Sequence, residues 1–270
     1  MEKLIEGSNV KNSKSFSCKT KIGQCSSVVK KGHEECGDSA FIYMDDEKAI
    51  IAVLDGVSGE PGAASASSDA AAAMLKLLRK QKKADEKIMK KAFMAGSKAV
   101  SYGYTTASVC FVQKNGSAMV ASTGDSPIYG IDKRGRISLE LPLGRAVGDN
   151  DSIFKFFFFR NLVTSVIGPS GTPINMHTKT GKLKKGDILI IASDGLTDNL
   201  YMEVENGYVK DSSGCHDLKR LIGKSKNPKP IVTKLMKELK KRIEGEKKEV
   251  NNTVLVPKKD DIAIAVFKKA

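Results

Sequence analysis

Aromatic residues are scarce in this chain of 270 residues: tryptophan is missing, and tyrosine and phenylalanine number six and ten. No stretch interleaves them with basic residues and no recognition-helix signature occurs, so a nucleic-acid-binding protein is not expected. Histidine is rarer still, at three. The five cysteines, Cys18, Cys25, Cys36, Cys110 and Cys215, are odd in number and include no CxxC pair. That excludes a disulfide framework and a structural zinc site and predicts reduced thiols. No run approaches the roughly 20 apolar residues of a membrane span. The greasiest, Ile153 to Phe159, contains Lys155 and reads as a strand or hairpin arm. The opening MEKLIEGSNVKNS has no apolar core of signal-peptide length, which predicts a cytoplasmic protein with no membrane partner.

Several catalytic signatures are also missing. There is no GxSxG elbow, no HExxH and no GxxxxGKS/T phosphate loop. The nearest approach to the last, Gly32 to Ser39, puts Asp38 where the lysine belongs and inverts the charge a phosphate needs. Acidic residues are outnumbered by basic ones, 31 to 45, giving a net charge of +14. Lysine-rich stretches such as Lys76 to Lys91 and Lys224 to Lys248 are ordinarily solvated faces, so this excess is not specific.

With 40% hydrophobic and 28% charged residues the composition is that of a globular protein, and the length suits one large core, predicting one domain over 1–270. Ala49 to Leu54 is a continuous apolar run ended by Asp55-Gly56, as in a buried strand entering a loop. Ser65 to Lys80 is alanine-rich, and Asp85 to Val100 has a helical apolar stripe with Asp85 as N-cap. Thr106 to Val112, Ala118 to Ser122 and Pro127 to Ile131 read as successive antiparallel strands, the first two joined at Asn115-Gly116. Asp132 to Thr180 is irregular and could form a flap. Ile188 to Ala192 resumes a buried strand, a polar insert runs from Glu205 to Pro230, a helix spans Ile231 to Ile243, and Ile262 to Phe267 is a final strand. Strands in runs and helices in separate blocks make an α+β fold rather than a parallel sheet.

One feature recurs: an aspartate at the end of an apolar strand. Asp55 follows AIIAVL, Asp125 follows SAMVAST and a glycine, Asp194 follows ILIIAS, and Asp260 precedes IAIAVF. If those strands pair, four carboxylates converge on one edge, an arrangement that like charges make unfavourable without cations. Hard oxygen ligands without a His or Cys set select Mg²⁺ or Mn²⁺. Gly56, having no Cβ, lets its carbonyl approach such an ion. With no side-chain nucleophile evident, the natural chemistry is phosphoester hydrolysis by a water activated at two ions.

In order along the chain, Gly37-Asp38-Ser39-Ala40-Phe41, Ala52 to Val57, Thr105-Thr106-Ala107, Ser122 to Ser126, Asn161 to Gly168, Gly186 to Asp198 and Asp260-Asp261-Ile262 resemble the motifs of the metal-dependent protein serine/threonine phosphatases of type 2C. The resemblance spans nearly the whole chain. It implies an α-β-β-α sandwich, two antiparallel sheets flanked by helix pairs, in a monomer acting on phosphorylated protein substrates. It further implies that Asp55 bridges two core Mg²⁺ or Mn²⁺ ions, that Gly56 offers its carbonyl, that Asp194 and Asp260 hold the second ion, and that Asp125 binds a third. Asp38 would orient the attacking water, and residues from about Asp132 to Arg160 would form the variable flap.

Three departures stand out. Gly37 replaces a frequent glutamate, which predicts weaker metal binding. His33 stands where many members carry a phosphate-binding arginine, and is read either as a weaker phosphate contact or as a surface residue. No histidine follows Asp55-Gly56 to serve as general acid: Val57-Ser58-Gly59-Glu60 is there instead. These losses motivate a rival reading, a weak or inactive relative serving as a regulatory or binding module. Neither His177 nor His216 is assigned the acid's role; both read as surface or structural residues.

Overall fold

The computed structural model describes residues 1–59, 61–223 and 225–270; Glu60, ending the Val57 to Glu60 segment, and Lys224, opening the Lys224 to Lys248 stretch, lie outside the described residues. The first sheet has six antiparallel strands in the order β1 (Glu2–Ile5), β4 (Asp38–Met44), β5 (Lys48–Asp55), β6 (Ala107–Gln113), β7 (Ser117–Thr123) and β10 (His177–Lys182). The second runs β2 (Ser13–Lys19), β3 (Gly23–Lys30), β16 (Ile262–Lys269), β11 (Ile188–Ala192), β8 (Ile128–Ile131) and β9 (Ile137–Glu140), again antiparallel throughout.

The uninterrupted apolar runs are buried on both faces, which explains why they do not alternate with polar residues. In β5, Ala49, Ile51 and Val53 enter the core between the sheets, while Ile50, Ala52 and Leu54 face the helices α1 (Ala63–Leu78) and α2 (Glu86–Ala99). In β16, Ala263, Ala265 and Phe267 face inward, and Ile262, Ile264 and Val266 face α5 (Cys215–Ile222) and α6 (Pro228–Ile243). The period of two along each strand therefore builds four layers, helices outside and sheets inside. Asp85 caps α2, its Oδ1 accepting the Ile88 amide at 2.8 Å. The five cysteines are unpaired, and no described helix is long and apolar enough to cross a membrane.

Four sequence expectations need correction. Ile153 to Phe159 is a helix, α3 (Ile153–Phe159), not a strand arm. Ser152 caps it through its Oγ, Asp151 pairs with Lys155 one turn on, and Phe156 alone is buried while Phe154 and Phe158 are 80% and 70% exposed. Local capping and a single anchoring side chain here outweigh the strand preference of aromatic residues. Second, β8 does not continue the β6–β7 hairpin; the chain crosses into the other sheet at Gly124 to Pro127. Third, the region from Asp132 to Thr180 contains β9, α3 and the start of β10. Fourth, the polar insert is structured: β12 (Met202–Glu205) and β13 (Tyr208–Asp211) form a hairpin within a four-stranded sheet completed by β15 (Thr253–Leu255) and β14 (Lys248–Val250). Its turn, Asn206-Gly207, has positive φ at both residues, a two-residue hairpin signal in plain sight.

Asp217 joins this region to α6. It accepts hydrogen bonds from the Tyr201 amide at 3.0 Å, from Arg220 at 2.6 Å and from buried Arg242. Burial pushes its carboxyl up, but the Arg242, Tyr201 and Arg220 donors outweigh it and hold the group below the usual carboxylate value. A lowered folded-state pKa gives stability that is full above the unfolded value and fades as pH falls below it. Asp217→Asn, which keeps one acceptor, is expected to cost about 1–3 kcal/mol at pH 7, and the gap between variant and parent in thermal unfolding should narrow at pH 3. A gap that widens in acid refutes this account.

Candidate metal centre

Four strand ends meet at one end of the sandwich. β5 ends at Asp55, Asp125 lies just beyond β7, Asp194 follows β11 and opens the one-turn helix α4 (Asp194–Thr197), and Asp260 stands just before β16. Each sheet thus contributes two carboxylates, and all four line one cavity of about 190 Å³ with His33 and Lys258. A larger cavity of about 510 Å³, between α2 and residues 170–176, has only Glu86 as an acidic wall residue.

Hydrogen bonds lock the two sheets together here. Ser193 Oγ donates to Asp38 Oδ2 at 2.6 Å and accepts the Ala263 amide at 2.9 Å. The Asp194 amide donates to Asp55 Oδ2 at 3.3 Å. Asp38 faces Asp55 across the β4–β5 ladder and is buried beneath the cavity rather than in its wall. Gly56 is required by backbone packing: a Cβ there would lie 2.4 Å from the Ala63 carbonyl oxygen and 2.8 Å from that of Gly37. This is a different reason from the approach of a carbonyl to an ion.

The Gly37 departure has a local cause, and His33 has a place. Asp261 Oδ2 accepts the Gly37 amide at 2.6 Å, and its Oδ1 accepts the Gly32 and His33 amides at 2.6 and 3.2 Å. A Cβ at position 37 would stand 3.1 Å from the Gly56 carbonyl oxygen and 3.5 Å from Asp261 Oδ2, so an acidic side chain there meets a carboxylate already tied to the loop. His33 sits at the cavity with Nε2 3.1 Å from Asp260 Oδ1. His177, on β10, and His216, on α5 beside Glu203, do not line this cavity.

Burial raises Asp55 and Asp38 far above the usual carboxylate range, reinforced by neighbouring aspartates; for Asp38 the Ser193 hydroxyl opposes the rise. Burial likewise pushes Asp125 up to about 7, although Arg145 pulls the other way. Arg145 is fully enclosed, with Nε 3.1 Å from Asp125 Oδ2 and Nη2 2.8 Å from Asp198 Oδ1 and 3.0 Å from Thr197 Oγ1. Lys258 Nζ lies 3.0 Å from Asp194 Oδ2, 3.3 Å from Asp198 Oδ2 and 2.6 Å from Asp260 Oδ2. Its desolvation disfavours the charge, but those three carboxylates keep the ammonium protonated.

The donor set suits divalent cations. Seven aspartates, at positions 38, 55, 125, 194, 198, 260 and 261, share the cluster with three permanent cations, Arg145, Arg160 and Lys258. Carboxyls thus outnumber the fixed cations, and the burial that raises Asp38, Asp55 and Asp125 makes their ionised forms unfavourable unless a dication offsets them. In addition, the four converging aspartates offer only hard oxygens. Arg145, Lys258 and the pairing of Asp198 were not anticipated from sequence. Asp198 does sit in the Gly186 to Asp198 motif, but a buried arginine 53 residues from it leaves no local pattern.

The model of the family described as Stage II sporulation protein E (SpoIIE) matches residues 45–269. No curated protein matches the chain. Among solved structures, RsbX in complex with magnesium superposes with a TM-score of 0.63 at 19% identity, covering 95% of this chain and 100% of that one. The serine/threonine phosphatase Stp1 from Staphylococcus aureus gives 0.66 at 15% identity, covering 98% of each chain. The PP2C phosphatase domain with a fragment of the regulatory domain of SpoIIE from Bacillus subtilis gives 0.61 at 18% identity, covering 99% of this chain and 64% of that one. At such identities the superpositions speak for the fold, an antiparallel sandwich of the type 2C phosphatases, while the match over 45–269 speaks for descent. The chain belongs to the family described as Stage II sporulation protein E (SpoIIE), with the fold of the type 2C phosphatases.

Proposed function

We propose that this protein hydrolyses phosphoserine or phosphothreonine in proteins, as one catalytic unit over 1–270, with divalent cations held by Asp55, the Gly56 carbonyl, Asp194 and Asp260, and with Asp125 as a further ligand. The observation that carries the reading is the convergence of those four aspartates, two from each sheet, on one cavity. Bound Mg²⁺ or Mn²⁺ supplies an activated water and neutralises the phosphoryl oxygens. The chain's own part is positional. β5 and β11 present Asp55 and Asp194 from rigid strand ends, Ser193 holds the Asp38 carboxylate in place, and His33 contributes a polar contact at the cavity beside Asp260. Asn161 and Val163 wall the same cavity, bringing the region after α3 to the site where a substrate flank passes.

The test is hydrolysis of a phosphopeptide with Mn²⁺ and with EDTA: turnover that persists in EDTA refutes the reading. A second prediction concerns the leaving group. No histidine follows Gly56, so no positioned acid protonates a departing seryl oxygen, and seryl phosphate hydrolysis should lose on the order of 10²–10⁴-fold while a reactive aryl phosphate loses less. A rate independent of leaving-group pKa would show that another acid acts. The rival reading, a regulatory module without turnover, draws on Lys258 and Arg145, which already pair with carboxylates of the centre. It predicts no hydrolysis of either substrate.

A further inference from the structure

Lys258 has a position that is built rather than incidental. Its amide donates to Asn199 Oδ1 at 3.0 Å, and Asn199 Nδ2 donates back to its carbonyl at 2.9 Å and to the Gly195 carbonyl at 3.0 Å. Asn199 is itself fully buried, and its carbonyl accepts a hydrogen bond from Arg242 at 2.8 Å. Upstream, the Val256 carbonyl accepts a hydrogen bond from Arg160 at 3.1 Å. The segment leading into β16 is therefore clamped to the end of α4, and the clamped lysine reaches three carboxylates at once, with only 22% of its side chain exposed. Two of the three, Asp194 and Asp260, are the pair expected to hold the second ion.

We propose that Lys258 is a resident counter-cation of the centre, occupying with one positive charge the ground between Asp194 and Asp260 and so weakening and limiting the divalent ions held there. The proposal rests on the metal-dependent reading above and adds to it a residue that sets metal affinity. The physics is simple: an ammonium within hydrogen-bond reach of two ligands both consumes their lone pairs and repels an incoming dication, and this repulsion is large in a partly buried site. A protein built this way binds its second ion loosely and responds to changes in free metal.

The experiment uses the full chain and Mn²⁺ alone. Isothermal titration, with bound Mn²⁺ counted by electron paramagnetic resonance, is run on the parent, on Lys258→Gln and on Lys258→Arg, with circular dichroism to confirm folding. Lys258→Gln should bind the weakest Mn²⁺ at least about 10-fold more tightly, or take up one ion more, whereas Lys258→Arg, which keeps the charge, should bind no more tightly than the parent. Lys258→Met, which keeps the aliphatic stem, repeats the measurement should glutamine disturb the fold. Equal affinity and stoichiometry in parent and Lys258→Gln overturns the proposal and leaves the metal reading standing. Absence of Mn²⁺ binding in every protein overturns both.

Discussion

Asp55→Asn is expected to lower Mn²⁺-supported phosphopeptide hydrolysis by about 10³-fold or more without disturbing the fold. The side chain is isosteric and lies at the end of a strand whose other residues are buried, so little packing changes. What is lost is the charge of the carboxylate proposed to bridge two ions. A bound ion contributes several kcal/mol of transition-state stabilisation, and about 1.4 kcal/mol corresponds to each tenfold in rate. Stability should move the opposite way. Burial and the neighbouring Asp38, Asp194, Asp260 and Asp125 all raise the Asp55 carboxyl, so its ionised form is unfavourable wherever no dication offsets it. In EDTA at neutral pH the variant should therefore unfold at a higher temperature than the parent. Activity within tenfold of the parent would remove Asp55 from the metal centre, and a lower midpoint in EDTA would contradict the electrostatic account.

Arg145→Met is expected to be the most destabilising single change at this end of the molecule, costing about 3–5 kcal/mol, the usual range for breaking a buried ion pair from one side. The guanidinium is 2% exposed and bonds Asp125, Asp198 and Thr197 together, so its removal strands two enclosed carboxylates. For a chain of this size that is a fall in melting midpoint on the order of 10 °C. The defect should depend on pH with a definite sign. Asp125 is already raised to about 7 with the arginine present, and without it rises further. A raised folded-state pKa gives stability that is present below the unfolded value and lost as pH climbs through the folded one, so the variant should suffer more at pH 8 than at pH 5. Combining Arg145→Met with Asp198→Asn should recover part of the loss, because the two side chains share one interaction. Strict additivity in that pair, or a defect that grows in acid, would place the role of Arg145 elsewhere.

Much of this centre was legible along the chain. Asp55, Asp125, Asp194 and Asp260 stand out because each ends or begins an apolar run, and a strand end is where a side chain leaves the ladder for a loop. The double burial of β5, β11 and β16 was equally plain, since both faces of those strands are covered and neither tolerates polar residues. The α-β-β-α layering followed from the resemblance and matches the observed sheets and helix pairs. The misread parts share a cause. In α3, in the Asn206-Gly207 hairpin and in the crossing of β8 to the second sheet, short segments with weak periodicity were decided by a cap, a turn or a partner strand distant in sequence.

What the sequence determined by itself was therefore the supply of carboxylates: which exist and which strands carry them. Only the tertiary structure decided their company. Arg145 reaches Asp125 and Asp198 from across two loops, Lys258 stands among Asp194, Asp198 and Asp260, and Asp261 turns from a neighbouring carboxylate into an anchor for Gly32, His33 and Gly37. Local periodicity reports how a residue meets its own element, whereas charge balance in a buried site is set by which distant side chains share the same few ångströms.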